Sequence, residues 1–199
     1  VCTLLVSSFV GYGFATYDFK GKNLIFGCVL LVMMVPLEII ILPLFQLFMG
    51  IKELTGVALI DSYAGIVLPF VAQAMPIFFF RQYMSGLPHD FVDAGRVDGC
   101  SEYGIFFRIM MPLAVPSFAA MGILVGMGSW NSFLWPLIVI RSQSKMTLPL
   151  GLASLLSPYG NNYAILLAGS VMAIIPVLVL FVSFQRYFIE GMTAGGVKG

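Results

Sequence analysis

The segment LPHDFVDAGRVDGCSEYGIFFRIMMPL, Leu87–Leu113, is a polar stretch between long apolar runs. It holds four of the nine acidic residues of the chain, its single histidine and two of its arginines. A hydrophobic chain with its charge gathered in one place meets water or another protein there. The organisation of the chain therefore depends on which side of the apolar runs this segment lies.

The composition predicts an integral membrane protein. The 199 residues are 60% hydrophobic and 10% charged, with a mean hydropathy of +1.00, whereas a soluble domain carries about 25% charged residues. A net charge of +1 creates no field that would attract nucleic acid. One histidine and three distant cysteines form no metal-ligand spacing, so we expect neither a metal nor another cofactor on this chain.

Five apolar runs approach the roughly 20 residues that a membrane-spanning helix needs. They cover residues 1–17, 23–50, 62–80, about 112–140 and 163 to about 188. Continuous apolarity favours helices over a barrel and predicts an all-α, polytopic membrane protein, with residues 1–199 as one transmembrane domain. Asp61 or Ser62 is a candidate N-cap for the third run. The chain opens on apolar residues, with no initiator Met and without the basic start of a signal peptide, so we expect residue 1 to lie inside a membrane-spanning helix of an N-terminally truncated chain.

Lysine and arginine divide unevenly between the two sides of these runs. One side carries seven of them, Lys20, Lys22, Arg81, Arg96, Arg108, Arg186 and Lys198, and the other side carries Lys52, Arg141 and Lys145. The positive-inside rule places the richer side in the cytoplasm. Leu87–Leu113 and the C-terminus are then both predicted to be cytoplasmic.

The local pattern of the polar segment predicts a helix–turn–helix. Pro88 suits a first helical position, and Asp90 and Asp93 would lie in early turns, where the helix dipole favours negative charge. Gly99 is placed like a C-terminal cap residue. Ser101 is a candidate cap for the next helix.

The first of these two helices has a surface that a partner could approach. Leu87, Phe91 and Ala94 are spaced for one face, and Ala94 and Gly95 leave that surface shallow. Two interpretations stay open on spacing alone. The helix either rests on lipid headgroups or docks against another protein.

The segment contains Asp93-Ala94-Gly95, then Gly99, then Ile109-Met110-Met111-Pro112 after nine further residues. These three elements resemble the cytoplasmic "EAA" loop of ABC-importer permeases. The family pattern is Glu-Ala-Ala, three residues, Gly, nine residues, Ile-x-Leu-Pro. Asp93 stands for the usual Glu, Gly95 for the second Ala and Met111 for Leu, which leaves the detailed contact geometry open.

The likeness extends over essentially the whole chain, to the second permease of maltose-type sugar importers. It is carried by Arg96-Val97-Asp98-Gly99, Gly128-Ser129-Trp130-Asn131, Phe133-Leu134-Trp135-Pro136-Leu137 and the ending Gly191–Gly199. The resemblance implies the type I permease fold in a bacterial inner membrane, as a multi-pass subunit, with five transmembrane helices present and one N-terminal helix missing. It further implies that residues 87–113 form a cytoplasmic coupling loop against an ATP-binding subunit.

The resemblance also implies site residues and partners. The coupling residues would be Asp90, Asp93, Ala94, Gly95, Arg96, Asp98, Gly99, Ile109 and Pro112. A C-terminal tail, residues 189–199, would reach the ATPase through Gly195, Gly196 and Lys198, although such a tail by itself is typical of disorder. The expected partners are a second permease subunit, two ATP-binding subunits, an extracytoplasmic solute-binding protein and membrane lipid. No G-x-x-x-x-G-K-[S/T] phosphate loop occurs, so ATP and magnesium are expected on the partner subunit.

Four residues are candidates for a translocation path. Glu38 is the acidic residue well inside an apolar run, which marks a functional site by default; alternatively it snorkels or is protonated beside Pro36. Ser129, Trp130 and Asn131 offer polar groups and an aromatic face that suit a sugar. Alternatively, Asn131 joins helices and the tryptophans anchor at the interface.

The sequence therefore predicts a permease subunit of an ATP-driven importer for a carbohydrate or a related solute, and not an enzyme. The Arg141–Asn162 loop is the candidate contact for the solute-binding protein. The alternative is an ion-gradient-driven secondary transporter with Glu38 as its coupling site, for which no inverted repeat is visible. Paired acids, zinc ligands or a Ser/His arrangement for a membrane hydrolase are also lacking.

Overall fold

The computed structural model describes residues 1–156 and 163–196, and the side chains of the last helix as far as residue 183. This part of the chain is helical, as predicted. The helices are α1 (Cys2–Thr16), α2 (Lys22–Met33), α3 (Leu37–Thr55), α4 (Tyr63–Val67), α5 (Ala74–Ser85), α6 (Asp90–Val97), α7 (Glu102–Ile105), α8 (Met111–Leu113), α9 (Val115–Trp130), α10 (Leu134–Val139), α11 (Leu148–Ser154) and α12 (Tyr163–Gly196). Short 3₁₀ turns follow α4 and α10, and a π-helical turn, Phe106–Met110, joins α7 to α8.

The predicted second run is two helices rather than one. Pro36 has an extended backbone and is the N-cap of α3, so the chain breaks between Met33 and Leu37. The residue before a proline is pushed out of the helical region, which explains a break at this point. Pro43, in contrast, lies inside α3.

Two stretches of the described residues are long and apolar enough to cross a membrane as they stand, Val115–Val139 and Tyr163–Ser183. Two helix pairs meet the same criterion only when each pair counts as one broken span or re-entrant loop, α2 with α3 and Tyr63–Phe70 with α5. The remaining predicted span, α1, is apolar but shorter. The five predicted runs are thus helical, but they differ in length and continuity.

The chain divides into two compact units. The first contains Val1–Val35, Val71–Val125 and the last helix from Phe184; the second contains Pro36–Phe70 and the chain from Gly126 to Ser183. The prediction of a single domain over the whole chain stays a prediction.

The first unit is built on close packing of α1 against α5. A Cβ added to Gly11 would lie 2.8 Å from both the backbone nitrogen of Arg81 and the Cβ of Phe80. The two helices therefore approach at backbone distance, as small residues allow in membrane proteins. The core continues from this contact into α6 to α9 through buried side chains, namely Tyr12, Phe80, Met84, Val92, Ile105, Phe106, Met110, Ala114 and Met121.

The second unit is organised around Trp135, which is completely buried. Its indole Nε1 donates a hydrogen bond to the carbonyl oxygen of Gly65 at 2.9 Å, and its ring packs edge-on against Phe48. A Cβ on Gly65 would overlap the carbonyl oxygen of Leu59. The α3, α4 and α10 helices therefore meet at a point that accepts only glycine.

Gly65→Ala is expected to destabilise the protein by about 1–3 kcal/mol, the usual range for overpacking. The measurement is the midpoint of thermal unfolding in detergent. Gly50→Ala is the matched control, because Gly50 lies inside α3 with open space around it, and alanine favours a helix. Equal midpoints for the two variants would contradict the packing described here.

Candidate functional site

The α6 helix begins two residues later than the sequence predicted. His89 is its N-cap, and the His89 carbonyl accepts from the backbone nitrogens of Val92 at 2.9 Å and Asp93 at 3.1 Å. Pro88 therefore precedes the helix instead of opening it. Asp90 and Asp93 do lie in the first turn, where the helix dipole stabilises their negative charge.

The turn after α6 has the predicted form. Gly99 has a φ of +75°, the left-handed conformation that favours glycine. Its nitrogen donates to the carbonyl of Arg96 at 3.1 Å, and the nitrogen of Cys100 donates to that of Gly95 at 2.9 Å. This pair of bonds defines a Schellman motif. The hydroxyl of Ser101 then accepts from the nitrogen of Gly104 at 3.1 Å and caps α7.

One face of α6 is locked into the core of its unit. Val92 is 1% exposed and Gly95 is buried. A Cβ on Gly95 would lie 2.9 Å from Cδ1 of Ile109 and 3.0 Å from Cγ1 of Ile105. The prediction that Gly95 offers a surface to a partner is therefore wrong, because it is the contact between α6 and the helical stretch that follows. Ile109 likewise packs against this core.

The opposite face of α6 is open. We call Asp90, Phe91, Asp93, Ala94 and Val97 the docking face, since all five side chains are exposed. Leu87 does not share it, because Leu87 packs partly buried against the core. The docking face combines two carboxylates with apolar side chains, of which Val97 is 88% exposed. Its chemistry fits a basic, partly apolar cleft better than a negatively charged lipid surface.

A hydrogen-bonded network ties α6 to its neighbours. The Arg96 Nε donates to Oε1 of Glu102 at 2.9 Å, and its Nη1 lies 3.4 Å from Oδ1 of Asp93. The Tyr17 hydroxyl, at the end of α1, donates to Oε2 of Glu102 at 2.6 Å. Glu102 thus joins α6, α7 and α1. Arg96 thus holds the fold of the loop, and the contact with the ATPase that was expected of it stays a prediction.

The same network controls the charge of Glu102. The hydrogen bond from Arg96, followed by the one from Tyr17, lowers the pKa of this carboxyl below its usual range. A lowered carboxyl pKa means that the ionised form stabilises the native state. This contribution is present at neutral pH and is lost as the pH falls through the lowered value.

The segment after Ser101 continues towards α9 through an irregular helix. The π-helical turn Phe106–Met110 is followed by Met111 and then by Pro112, which is exposed in α8. Proline has no N–H for the carbonyl four residues earlier, and a wider turn is a common local response. Pro112 thus lies on the path into α9, and Asp98 is exposed at the end of α6.

In the described part of the chain, no side-chain hydrogen bond joins the four candidate translocation-path residues to one another. Glu38 is exposed in the first turn of α3, and no described residue forms an ion pair with it. Trp130 donates from Nε1 to the carbonyl of Ala173 at 3.0 Å, and Asn131 donates from Nδ2 to the carbonyl of Met127 at 3.0 Å. Ser129 is exposed beside them. The path role of these four residues stays a prediction.

Parts of the predicted C-terminal tail and of the Arg141–Asn162 loop lie outside the residues that the structure describes. The backbone of Gly195 and Gly196 belongs to α12, but their surroundings, Lys198, and the end of the Arg141–Asn162 loop lie outside the described residues. Ser62 caps α4, with its hydroxyl accepting from the nitrogen of Gly65 at 3.0 Å. Asp61, the other candidate cap, binds elsewhere.

Comparison with known proteins identifies the family. Residues 4–193 match the binding-protein-dependent transport system inner membrane component family. The arabinooligosaccharides transport system permease protein AraQ of Bacillus subtilis is 60% identical over 199 residues, covering 100% of this chain and 69% of AraQ. The lactose transport system permease protein LacG of Rhizobium radiobacter is 40% identical over 196 residues, covering 98% of this chain and 69% of LacG.

A solved structure supports the fold. The match is to a bacterial ABC transporter involved in the import of the acidic polysaccharide alginate, with a TM-score of 0.80 and 24% identity, over 94% of this chain and 69% of that one. The chain belongs to the family of inner membrane components of binding-protein-dependent transport systems. It is a membrane permease of the ABC-importer class, which confirms the family predicted from the sequence.

Replacing Arg96 by Gln should lower the hydrogen-exchange protection of the α6 amides at pH 7 and weaken the dependence of that protection on pH. Without the guanidinium, the charged tie between α6 and Glu102 is absent at every pH and the pKa of Glu102 returns towards its usual range, so acidification removes less stability than in wild type. The measurement is hydrogen exchange of the α6 amides between pH 7 and pH 4, corrected for intrinsic rates. Lys22→Gln, which breaks the Lys22–Asp18 pair at 2.9 Å, is the control. Identical pH profiles for wild type and Arg96→Gln would refute the role of this network.

Proposed function

We propose that this chain is the permease subunit of an ATP-driven carbohydrate importer and that α6 receives the motion of a separate ATP-binding subunit. The observation that carries the proposal is the division of α6 into two faces. Val92 and Gly95 anchor one face in the core, while Asp90, Asp93 and Ala94 are exposed on the other. A short helix held in this way transmits a push instead of yielding to it.

The route of this motion follows from the contacts of α6. Gly95 bears on Ile105 and Ile109, so displacement of α6 carries the α7–α8 stretch with it. The Arg96–Glu102–Tyr17 bonds connect the same movement to the end of α1. Since α1 packs closely on α5 at Gly11, the docking face is coupled to several helices of its unit.

The solute is proposed to be a carbohydrate, with arabinose oligosaccharides as the first candidates. The support is the 60% identity to a permease named for that substrate and the 40% identity to one named for lactose. Trp130 is 39% exposed as a residue, and its Nε1 is already hydrogen-bonded. It therefore offers an apolar face suited to the C–H face of a sugar ring, beside Ser129 and Asn131.

The complete transporter is proposed to be an assembly of this chain with several other subunits. It contains a second permease subunit, two ATP-binding subunits that hold ATP and magnesium, and a solute-binding protein on the outer side. It lies as a multi-pass protein in a bacterial inner membrane, surrounded by lipid and without nucleic acid. The docking face would contact the ATPase through Asp90, Asp93 and Ala94, with Asp98 beside them, while Gly95, Arg96, Gly99, Ile109 and Pro112 position that face.

Asp93→Lys should reduce ATP-dependent transport by on the order of tenfold, because it places a cation opposite a basic cleft. The measurement is solute uptake together with co-purification of the ATP-binding subunit. Asp18→Lys is the matched control, since Asp18 is an exposed aspartate of the same unit that lies outside the docking face. Full transport and normal co-purification in Asp93→Lys would disprove the docking assignment.

A further inference from the structure

Asp61 accepts an unusual set of hydrogen bonds. Its Oδ1 accepts from the backbone nitrogens of Arg141 at 2.9 Å and Ser142 at 2.8 Å, and its Oδ2 accepts from the hydroxyl of Ser142. Lys145 Nζ lies 3.2 Å from Oδ2 and donates to the Asp61 carbonyl oxygen at 2.6 Å. One residue thus engages three positions of a segment about 80 residues further along the chain.

The backbone of Asp61 is shaped for this role. Its φ of +57° is the one left-handed value among the described non-glycine residues, a conformation that costs roughly 1–2 kcal/mol in an L-residue. Its own nitrogen donates to the carbonyl of Val139 at 2.9 Å. A strained backbone conformation persists where the surrounding contacts hold it in place. Here the backbone bond to Val139 and the side-chain bonds to Arg141 and Ser142 hold Asp61.

Asp61 is bonded to a tightly packed part of the second unit. Trp135 and Val139 of α10 are completely buried, and Trp135 is bonded to Gly65 of α4. Asp61 therefore fastens residues 141–145 to the packed corner where α3, α4 and α10 meet. The side chains of Arg141, Gln143 and Ser144 remain exposed on the outside of this fastened segment.

We infer that Asp61 is a positioning residue that holds the Arg141–Lys145 segment, with its exposed Arg141, in the shape that docks an acidic surface of the extracytoplasmic solute-binding protein. This inference rests on the proposed function, which places that protein on the outer side. The charge distribution along the chain puts Lys52, Arg141 and Lys145 on that side. A preformed loop binds better than a mobile one because less conformational entropy is lost on docking.

The carboxyl group of Asp61 stays ionised over the physiological pH range. The Ser142 hydroxyl and the backbone N–H groups of Ser142 and Arg141 hold the pKa of its carboxyl well below the usual range. The hydrogen bonds that it accepts are therefore charge-assisted, which makes them stronger than neutral ones.

The test uses the complete transporter with its ATP-binding subunits, reconstituted in vesicles, and titrates the purified binding protein against ATP hydrolysis. Asp61→Ala should raise the half-maximal binding-protein concentration about tenfold and leave the maximal rate unchanged. Asp61→Asn keeps an acceptor for the two backbone N–H groups, so it should recover part of that loss. Glu53→Ala, which removes an exposed carboxylate at the end of α3, is the control and should behave as wild type.

Hydrogen exchange of the same variants tests the geometry without reference to transport. The amides of Arg141 and Ser142 should exchange at least about tenfold faster in Asp61→Ala than in wild type. Unchanged exchange would overturn the positioning role. Faster exchange with an unchanged half-maximal concentration would overturn the docking role alone, whereas loss of all stimulation in the wild-type complex would count against the proposed function.

Where Asp61→Ala fails to fold, Ser142→Ala and Lys145→Met give the same readouts with smaller shifts, and wild-type behaviour in both would overturn the inference.

Discussion

The packing of Gly95 against Ile105 and Ile109 is the contact on which the Leu87–Leu113 segment of this permease depends. It allows α6 to lie directly on the helical stretch that leads into α9, at a distance that leaves no room for a Cβ without movement of an isoleucine. The buried Val92 fixes the same face. With one face committed to the core, the other is the part of α6 that is free to meet a partner.

Within each of the two units, polar groups near the ends of the helices fasten segments that are distant in sequence. In the first unit, Glu102 joins Arg96 and Tyr17. In the second unit, Asp61 holds Arg141, Ser142 and Lys145. The members of each cluster come from segments that lie at the same ends of the apolar runs along the sequence. Which of the two ends faces the cytoplasm stays a prediction.

Local signals in the sequence were sufficient to predict the turn between α6 and α7. Gly99 and Ser101 have the predicted roles because helix ends are satisfied by neighbouring residues. The sequence failed at Gly95, since spacing along one helix cannot show which face a later segment covers. Glu102 and Asp61 were not recognised for the same reason, because their partners are set by the fold. A carboxylate following a capping serine was the only local signal at Glu102.

The central claim is that the exposed face of α6 contacts an ATP-binding subunit, and site-specific cross-linking tests it most directly. A photoreactive residue is introduced at Ala94 in the assembled transporter, and the same residue is introduced at Leu54, which is 88% exposed near the end of α3. The account predicts a cross-link to the ATP-binding subunit from position 94 and none from position 54. A cross-link to that subunit from position 54, with none from position 94, would contradict it.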